Sequence, residues 1–164
     1  MIIRETQKIE IASKIQNITL VEEFIDEICD YFNVNNDYFG NIIVAVTEAV
    51  ENAIIHGNKN DENKFVTVSF ESTHGSLVFS VSDEGSGFNY QIIPDPTDPK
   101  NENENEGRGM FLMKSLADNM SFEDDGKIVK LSFAVSSIHK ELANKRIKAF
   151  REYQIGKHVK QEKN

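Results

Sequence analysis

Apolar residues recur along the chain with two periods, and these periods predict the secondary structure. Alternation of apolar and polar residues predicts strands in IIRETQKIEIAS, KFVTVSFES, SLVFSVSD, MSFED and KIVKLSFAV. Helical spacing predicts helices in IQNITLVEEFIDEICDYF, from about Asp37 to His56, in GMFLMKSLADNM, and from about Ser136 to Phe150. Because several strands are consecutive, the order favours an α+β two-layer sandwich, with helices on one face of a mixed or antiparallel sheet.

The connections between these segments carry typical turn residues. Gly57 is well placed to end the second helix, and THG and DDG are predicted turns between paired strands. After Asp83 the periodic pattern stops, and the chain continues through PDPTDP and KNENENEG. This stretch has too few apolar residues to bury itself, so it is predicted to be mobile.

Composition narrows the class of protein. Hydrophobic residues make up 39% of the 164 residues, which is enough for one core. No apolar run approaches the roughly 18 residues that cross a membrane, and the first residues lack the apolar centre of a signal peptide. We therefore expect a cytoplasmic protein that does not bind membranes. The single Cys29 excludes an internal disulfide and is expected in the core.

Charge is spread unevenly. The net charge is −9, which argues against direct nucleic-acid binding because phosphate repels an acidic surface. Residues 140–164 nevertheless hold eight Lys/Arg against three Glu. This asymmetry predicts that the tail is a distinct element.

The second predicted helix carries polar residues at regular spacing. Glu48, Asn52 and His56 are four residues apart, which places them along one helix face. Mg²⁺ prefers hard oxygen ligands, so the Asn52 amide oxygen together with phosphate oxygens could bind it. Glu48, one turn away, could accept a proton from an attacking hydroxyl. The alternative is a solvated polar stripe on a surface helix.

A carboxylate follows the strand SLVFSVS directly. Asp83 stands at the end of this strand and is followed by Gly85 and Gly87. Such a carboxylate could accept a hydrogen bond from the amino group of adenine, and the glycines would let the backbone pass close to a flat base. The alternative is an ordinary turn after a strand.

Two glycines lie at the start of the predicted helix GMFLMKSLADNM. Free backbone N–H groups near Gly107 and Gly109 could bind phosphate, with the helix dipole assisting, and Arg108 could reach a terminal phosphate. The alternative is a flexible linker that enters a helix. The segment is not a Walker loop, because no G-K-[ST] follows.

Taken together and in this order, the three motifs resemble those of the GHKL ATPase superfamily, and in particular the anti-sigma-factor serine kinases. The resemblance spans about residues 8–135 and implies a Bergerat-type fold that binds ATP and Mg²⁺. It implies that Asn52 is the Mg²⁺ ligand and Glu48 the catalytic base. The further ATP-binding residues it implies are His56, Asp83, Gly85, Gly87, Gly107, Arg108, Gly109 and Met110.

The resemblance also implies a division of the chain. Residues 1–136 would form the ATP-binding kinase domain, with an ATP lid at about residues 89–108. Residues 137–164 would form a basic helical extension to which the resemblance does not extend. One further departure is Lys127, which follows Gly126 where family members often carry a Thr that supports the nucleotide pocket.

Three functions stay open at this point. The resemblance favours an ATP-dependent serine/threonine kinase that binds a sigma factor or equivalent regulator and phosphorylates a small anti-anti-sigma-like antagonist. Related kinases dimerise, so a homodimer is expected. The alternatives are a nucleotide-gated binding module with little transfer activity and a histidine-kinase catalytic domain acting on a separate acceptor.

Overall fold

A single antiparallel sheet organises the domain. The structure is a computed structural model that describes residues 6–73, 75–88, 106–134, 148–153 and 155–156. The strands within these residues are β1 (Thr6–Ala12), β2 (Phe65–Thr73), β3 (Ser76–Ser82), β4 (Asn119–Glu123) and β5 (Ile128–Ala134). They lie in the order β1-β2-β3-β5-β4, and every neighbouring pair is antiparallel. The predicted sheet is therefore confirmed, and it is antiparallel rather than mixed.

The alternation in the sequence decides which face of the sheet is buried. Side chains one residue apart point to opposite faces, so each strand contributes every second residue to the core. Phe70, Phe79 and Phe133 lie on neighbouring strands, with ring centroids 5.4 Å apart for the first pair and 6.2 Å for the second. All three are at most 1% exposed. These rings form the centre of the apolar layer beneath the helices.

Three helices follow the predicted order. They are α1 (Ile18–Tyr31), α2 (Asn36–Asn52) and α3 (Glu106–Leu116), and a π-helical turn, Ala53–Gly57, continues α2. The side chain of Asn35 caps α2 by accepting hydrogen bonds from the backbone N–H groups of Asp37 and Tyr38, at 2.8 and 3.4 Å. Cys29 is buried in α1 as expected, and burial raises the pKa of its thiol to about 12.

The apolar faces of α1 and α2 form a single core with the strands. Val21, Ile25 and Ile28 of α1 are fully buried, as are Ile42 and Val46 of α2. Among the described residues, only the helical segment Asn36–Gly57 is long and apolar enough to cross a membrane by length and composition alone. Because most of its apolar residues lie in or against the core, it is accounted for as a core helix.

The third helix differs from its prediction at both ends. It begins at Glu106 rather than Gly109, so the two glycines lie inside its first turn, and it ends at Leu116 rather than Met120. Its end has a clear cause in the neighbouring strand. The Asp118 backbone N–H donates to Ser132 O at 2.9 Å, and the Asp118 carboxylate accepts from the Ala134 N–H at 2.7 Å. These bonds draw the chain into β4, which starts at Asn119.

Two predicted segments are described only in part. Residues 89–105, most of the predicted lid, lie outside the described residues. Of the tail helix predicted from about Ser136 to Phe150, residues 136–147 also lie outside them, whereas residues 148–153 are helical.

Candidate functional site

The polar residues of α2 lie where the helix changes its geometry. Glu48 and Asn52 belong to the regular α-helix, but a π-helical turn begins at Ala53, where Asn58 N–H donates to Ala53 O at 2.8 Å. His56 is therefore displaced from the ideal i+8 position that the sequence predicted. Such single π turns are frequent at functional sites.

A cleft of about 470 Å³, including its open mouth, lies between the end of α2, the start of α3 and the core face of the sheet. Five of the predicted site residues line it: Asn52, His56, Asp83, Gly87 and Met110. The remaining lining residues are Ala49, Ala53, Gly57, Val81, Phe88, Met113, Phe122, Gly126, Lys127 and Val129. The cleft therefore has polar groups at its walls and an apolar floor.

The first turn of α3 lies directly against α2. A Cβ atom added to Gly109 would lie 2.9 Å from Glu48 Oε2 and 3.2 and 3.5 Å from the side-chain nitrogen and oxygen of Asn52. Only a residue without a side chain permits this approach without displacing those groups. The sequence motifs around Asn52 and Gly109, about 57 residues apart, are thus brought together.

Asp83 is fixed by its backbone and by a neighbouring turn. Its N–H donates to Lys127 O at 3.1 Å, and its carboxylate accepts from the Gly85 N–H at 2.8 Å. Burial raises the pKa of the Asp83 carboxyl, whereas the Gly85 N–H and the charges of Lys127 and Lys64 oppose that shift. Asp83 thus offers a partly desolvated acceptor at the cleft wall.

Glu48 has a different environment. Burial, and secondly the negative charge of Glu51, raises the pKa of its carboxyl group. Glu48 does not itself line the cleft, although its carboxylate is next to Gly109 and Asn52. A carboxyl group with a raised pKa is better matched to proton transfer near neutral pH than an ordinary one.

The other predicted residues are distributed around this cleft. Gly85 packs behind Asp83, because a Cβ there would lie 2.2 Å from Gly57 O. Gly107 is buried in the first turn of α3, whereas Arg108 is exposed on the same turn. The first four N–H groups of a helix lack intrahelical partners, and a helix start of this kind is a common binding site for anions.

Sequence reasoning missed the apolar floor and two polar residues. Val81 and Val129 could have been found, because strand alternation already places them on the core face. Lys127 was noted only as a departure from the family pattern, yet it lines the cleft. Asn58, which is 1% exposed, carried no signal beyond its position after the helix-ending glycine.

The fold defines an α+β class of domain, in which helices cover one face of an antiparallel sheet and a cleft with polar walls opens at the helix ends. Comparison with known proteins gives the family: the chain belongs to the histidine kinase-like ATPase domain family, whose model matches residues 11–133. The resemblance to the GHKL superfamily and the predicted fold class are thereby confirmed.

Individual relatives extend this result. The chain is 32% identical over 96 residues to a serine-protein kinase RsbW of Staphylococcus epidermidis. This match covers 54% of this chain and 60% of that relative. It is 26% identical over 121 residues to an anti-sigma F factor of Clostridium botulinum, covering 71% of this chain and 83% of the relative. The chain thus spans about three fifths of the RsbW relative's length.

A solved structure supports the fold. A crystal structure of the RsbU and RsbW domains of a Mycobacterium tuberculosis protein matches 79% of this chain and 32% of that chain, with a TM-score of 0.57 and 16% identity. At this identity the likeness concerns the fold alone.

Proposed function

We propose that this protein is an ATP-dependent serine/threonine protein kinase that acts as a partner-switching regulator. One observation carries the proposal: the carboxylate of Glu48 and the amide of Asn52 meet the first turn of α3 at Gly109, beside a cleft that Asp83 closes on its other side. On this proposal, one nucleotide would meet a base, an oxygen ligand, an anion-binding helix start and an adenine acceptor.

The nucleotide would lie with its base near Asp83 and its phosphates near α3. Asp83 would accept a hydrogen bond from the adenine amino group, with Gly85 and Gly87 beside it, and the apolar floor would contact the ring. The free N–H groups around Gly107 and Gly109 would bind the phosphates. His56 and Met110 would complete the walls.

The residues present fit a magnesium ion. No cluster of three or more His, Cys, Asp or Glu that could hold a metal occurs among the described residues. This suits Mg²⁺, which keeps several waters and commonly takes one or two protein oxygens together with phosphate oxygens. Asn52 would supply the protein ligand, and the ion when bound would neutralise charge on the transferring phosphoryl group.

Phosphoryl transfer then requires few further groups. Glu48 would accept the proton of the attacking serine or threonine hydroxyl at its carboxylate, which is typically worth about 10²–10⁴-fold in rate. Exposed Arg108 would stabilise negative charge on the terminal phosphate from the α3 side.

The proposed partners take their support from the names of two relatives. Relatives named serine-protein kinase and anti-sigma F factor support a cytoplasmic regulator that alternates between a sigma factor or equivalent and an anti-anti-sigma-like substrate. We propose residues 1–136 as the kinase domain, residues 137–164 as a separate extension, and a homodimer as the assembly. Comparing the molecular mass of the full chain with that of a chain ending at residue 138 tests whether the extension contributes to dimerisation.

The first test is transfer of label from γ-labelled Mg·ATP into proteins of the source cell's lysate, with Glu48→Ala in parallel. The expected result is acid-stable label on one small protein, reduced by about 10²-fold or more in the variant. Label that is stable to base and labile to acid would instead indicate phosphohistidine. Equal labelling by Glu48→Ala would refute the role of Glu48.

One observation favours a second candidate, a nucleotide-gated binding module with little transfer activity. Glu48 is not among the residues that line the cleft, whereas a general base must reach the hydroxyl from which it takes a proton. Tight ATP binding without measurable transfer to any protein would identify this function.

A further inference from the structure

Asn58, which follows Gly57 at the end of the π-helical turn, connects four segments of the domain. Asn58 is 1% exposed and Ser13 is 2% exposed, and they are the two buried polar residues of the described part of the chain. Asn58 Nδ2 donates to Ser13 Oγ at 2.8 Å, behind β1, and to Phe65 O at 3.0 Å, at the start of β2. A buried side-chain amide with this many partners is rigidly held.

The third side-chain bond of Asn58 leads to the cleft. Its Oδ1 accepts from the backbone N–H of Glu84, at 2.8 Å, and Glu84 directly follows Asp83. The Glu84 carboxylate in turn accepts from the Phe65 N–H at 2.5 Å. Through these bonds the segment that carries Asp83 is attached to the start of β2.

The backbone of Asn58 completes the connection. Its N–H donates to Ala53 O at 2.8 Å and closes the π-helical turn, while its carbonyl accepts from Asp61 N–H at 3.0 Å. The same turn contacts the Asp83 segment, since a Cβ on Gly85 would lie 2.2 Å from Gly57 O. One residue therefore links the end of α2 to the segment beyond β3.

We propose that Asn58 is a positioning residue for the cleft, and that its buried amide sets the place of Asp83 relative to α2. Asn52 and His56 lie on α2 and its π-helical continuation, whereas the adenine acceptor lies beyond β3. Without the amide, the two walls would be held only by the close contact of Gly57 with the Asp83 segment and by the sheet. This inference rests on the proposed function, because it assumes that Asp83 receives the base of a nucleotide.

The different groups that adenine and guanine present to Asp83 predict a selective defect in nucleotide binding. Adenine presents an amino group to Asp83, and guanine presents a carbonyl oxygen that a carboxylate would repel. A displaced Asp83 would weaken binding of ATP and also lose part of its discrimination against GTP. A general loss of stability would not change that ratio of affinities.

The experiment measures dissociation constants of MgATP and MgGTP by calorimetry for the full chain and for Asn58→Ala. We expect the preference for ATP to fall about tenfold, the size of one lost hydrogen bond to a charged group. Ile25→Ala, which empties a fully buried site on α1 away from the cleft, serves as the destabilised control. It should leave the preference within about twofold of the original.

Two further variants make the test decisive. Ser13→Ala removes one partner of Asn58 with little change in shape, so it should shift the preference in the same direction by about two- to threefold, even if Asn58→Ala does not fold. In an Asp83→Ala background, Asn58→Ala should cause no further loss of preference, because the two changes act on the same contact.

The outcomes separate the inference from the proposed function. A wild-type protein that binds ATP no better than GTP would refute the role of Asp83 before any variant is made. A wild-type preference for ATP that persists in both Asn58→Ala and Ser13→Ala would overturn the positioning role alone. An equal shift in Ile25→Ala would also overturn it, because the effect would then be one of general stability.

Discussion

The apolar centre and the polar end of the domain share the same helix and the same strands, yet they are packed in opposite ways. At the centre, large rings such as Phe70, Phe79 and Phe133 fill the space between sheet and helices. At the polar end, Gly57, Gly85 and Gly109 leave room for side chains and backbone from other segments. Large buried side chains therefore stabilise the centre, whereas glycines at the polar end leave the space in which the site forms.

This difference predicts which property of the protein changes when each region is mutated. Substitutions at the centre should lower the free energy of unfolding, because they remove buried apolar surface. Substitutions at the polar end should change nucleotide binding and transfer more than stability, because they move groups by short distances.

The largest expected effect is at the centre. Phe79→Ala removes a ring that is fully buried between two others, so we expect it to lower the free energy of unfolding by about 3–5 kcal/mol. Urea unfolding at neutral pH measures this change. Phe65→Ala is the control, since Phe65 is 42% exposed, and it should cost about 1 kcal/mol or less. Equal losses in both variants would contradict a core centred on these rings.

The second prediction concerns the contact between α3 and α2. Gly109→Ala would place a methyl group 2.9 Å from Glu48 Oε2, and the flexible carboxylate would have to move. We expect the transfer rate to fall by up to about 10²-fold, since small displacements at a reacting centre have effects of this size. Stability should change by about 1 kcal/mol or less, because alanine favours a helix over glycine.

Gly40→Ala is the matched control for this change. Gly40 also lies in a helix, α2, but a Cβ there would have no atom within 4 Å. It should gain up to about 1 kcal/mol of stability without any change in transfer rate. If Gly109→Ala behaved in the same way, close approach at α3 would have no part in the function.

Much of the fold could be predicted because it depends on local patterns. The period-2 alternation identified the five strands and their buried faces, and Gly57 and the DDG turn were recognised as element ends. The turn at DDG needs positive φ at three successive residues, and the structure gives 51°, 54° and 88° for Asp124, Asp125 and Gly126. Strand alternation and turn preferences depend only on residues that are close together in the sequence.

The parts that were missed depend on distant neighbours. Nothing near Ala53 in the sequence predicts a π-helical turn, because its bonds are fixed by the packing of Asn58 against β1 and β2. The first turn of α3 places Gly109 against α2, a contact that residues 106–109 alone cannot reveal. Five of the ten candidate site residues line one cleft, whereas the buried amide of Asn58 could not be found from the sequence.

A third, smaller prediction tests the start of α2, far from the cleft. Asn35→Ala removes a cap that accepts bonds from two backbone N–H groups, and it should cost about 1 kcal/mol in the free energy of unfolding. Asn35→Asp retains the acceptor oxygens and should cost less. Thermal unfolding measures both, and nucleotide affinity should stay unchanged. A loss of affinity in Asn35→Ala would mean that the two ends of α2 are coupled.

The smallest expected effect is a pH dependence at the polar end. Because burial and Glu51 raise the pKa of Glu48 in the folded state, ionising Glu48 lowers stability as the pH rises from its unfolded pKa through its folded pKa. Glu48→Gln should therefore have a higher melting temperature than the original protein at pH 7. The gap should close as the pH falls below about 4.3, the unperturbed value for Glu, where both proteins are neutral at this position.

Glu51→Gln sharpens this test, because it removes the second cause of the raised pKa and leaves the first. In that background, adding Glu48→Gln should still raise the melting temperature at pH 7, but by less than it does in the original protein. A gap of equal size at pH 4 and pH 7 would show that the amide stabilises the domain for another reason. A lower melting temperature of Glu48→Gln at pH 7 would mean that the ionised carboxylate contributes favourably to the fold, and the polar end would then resemble the centre in being built for stability.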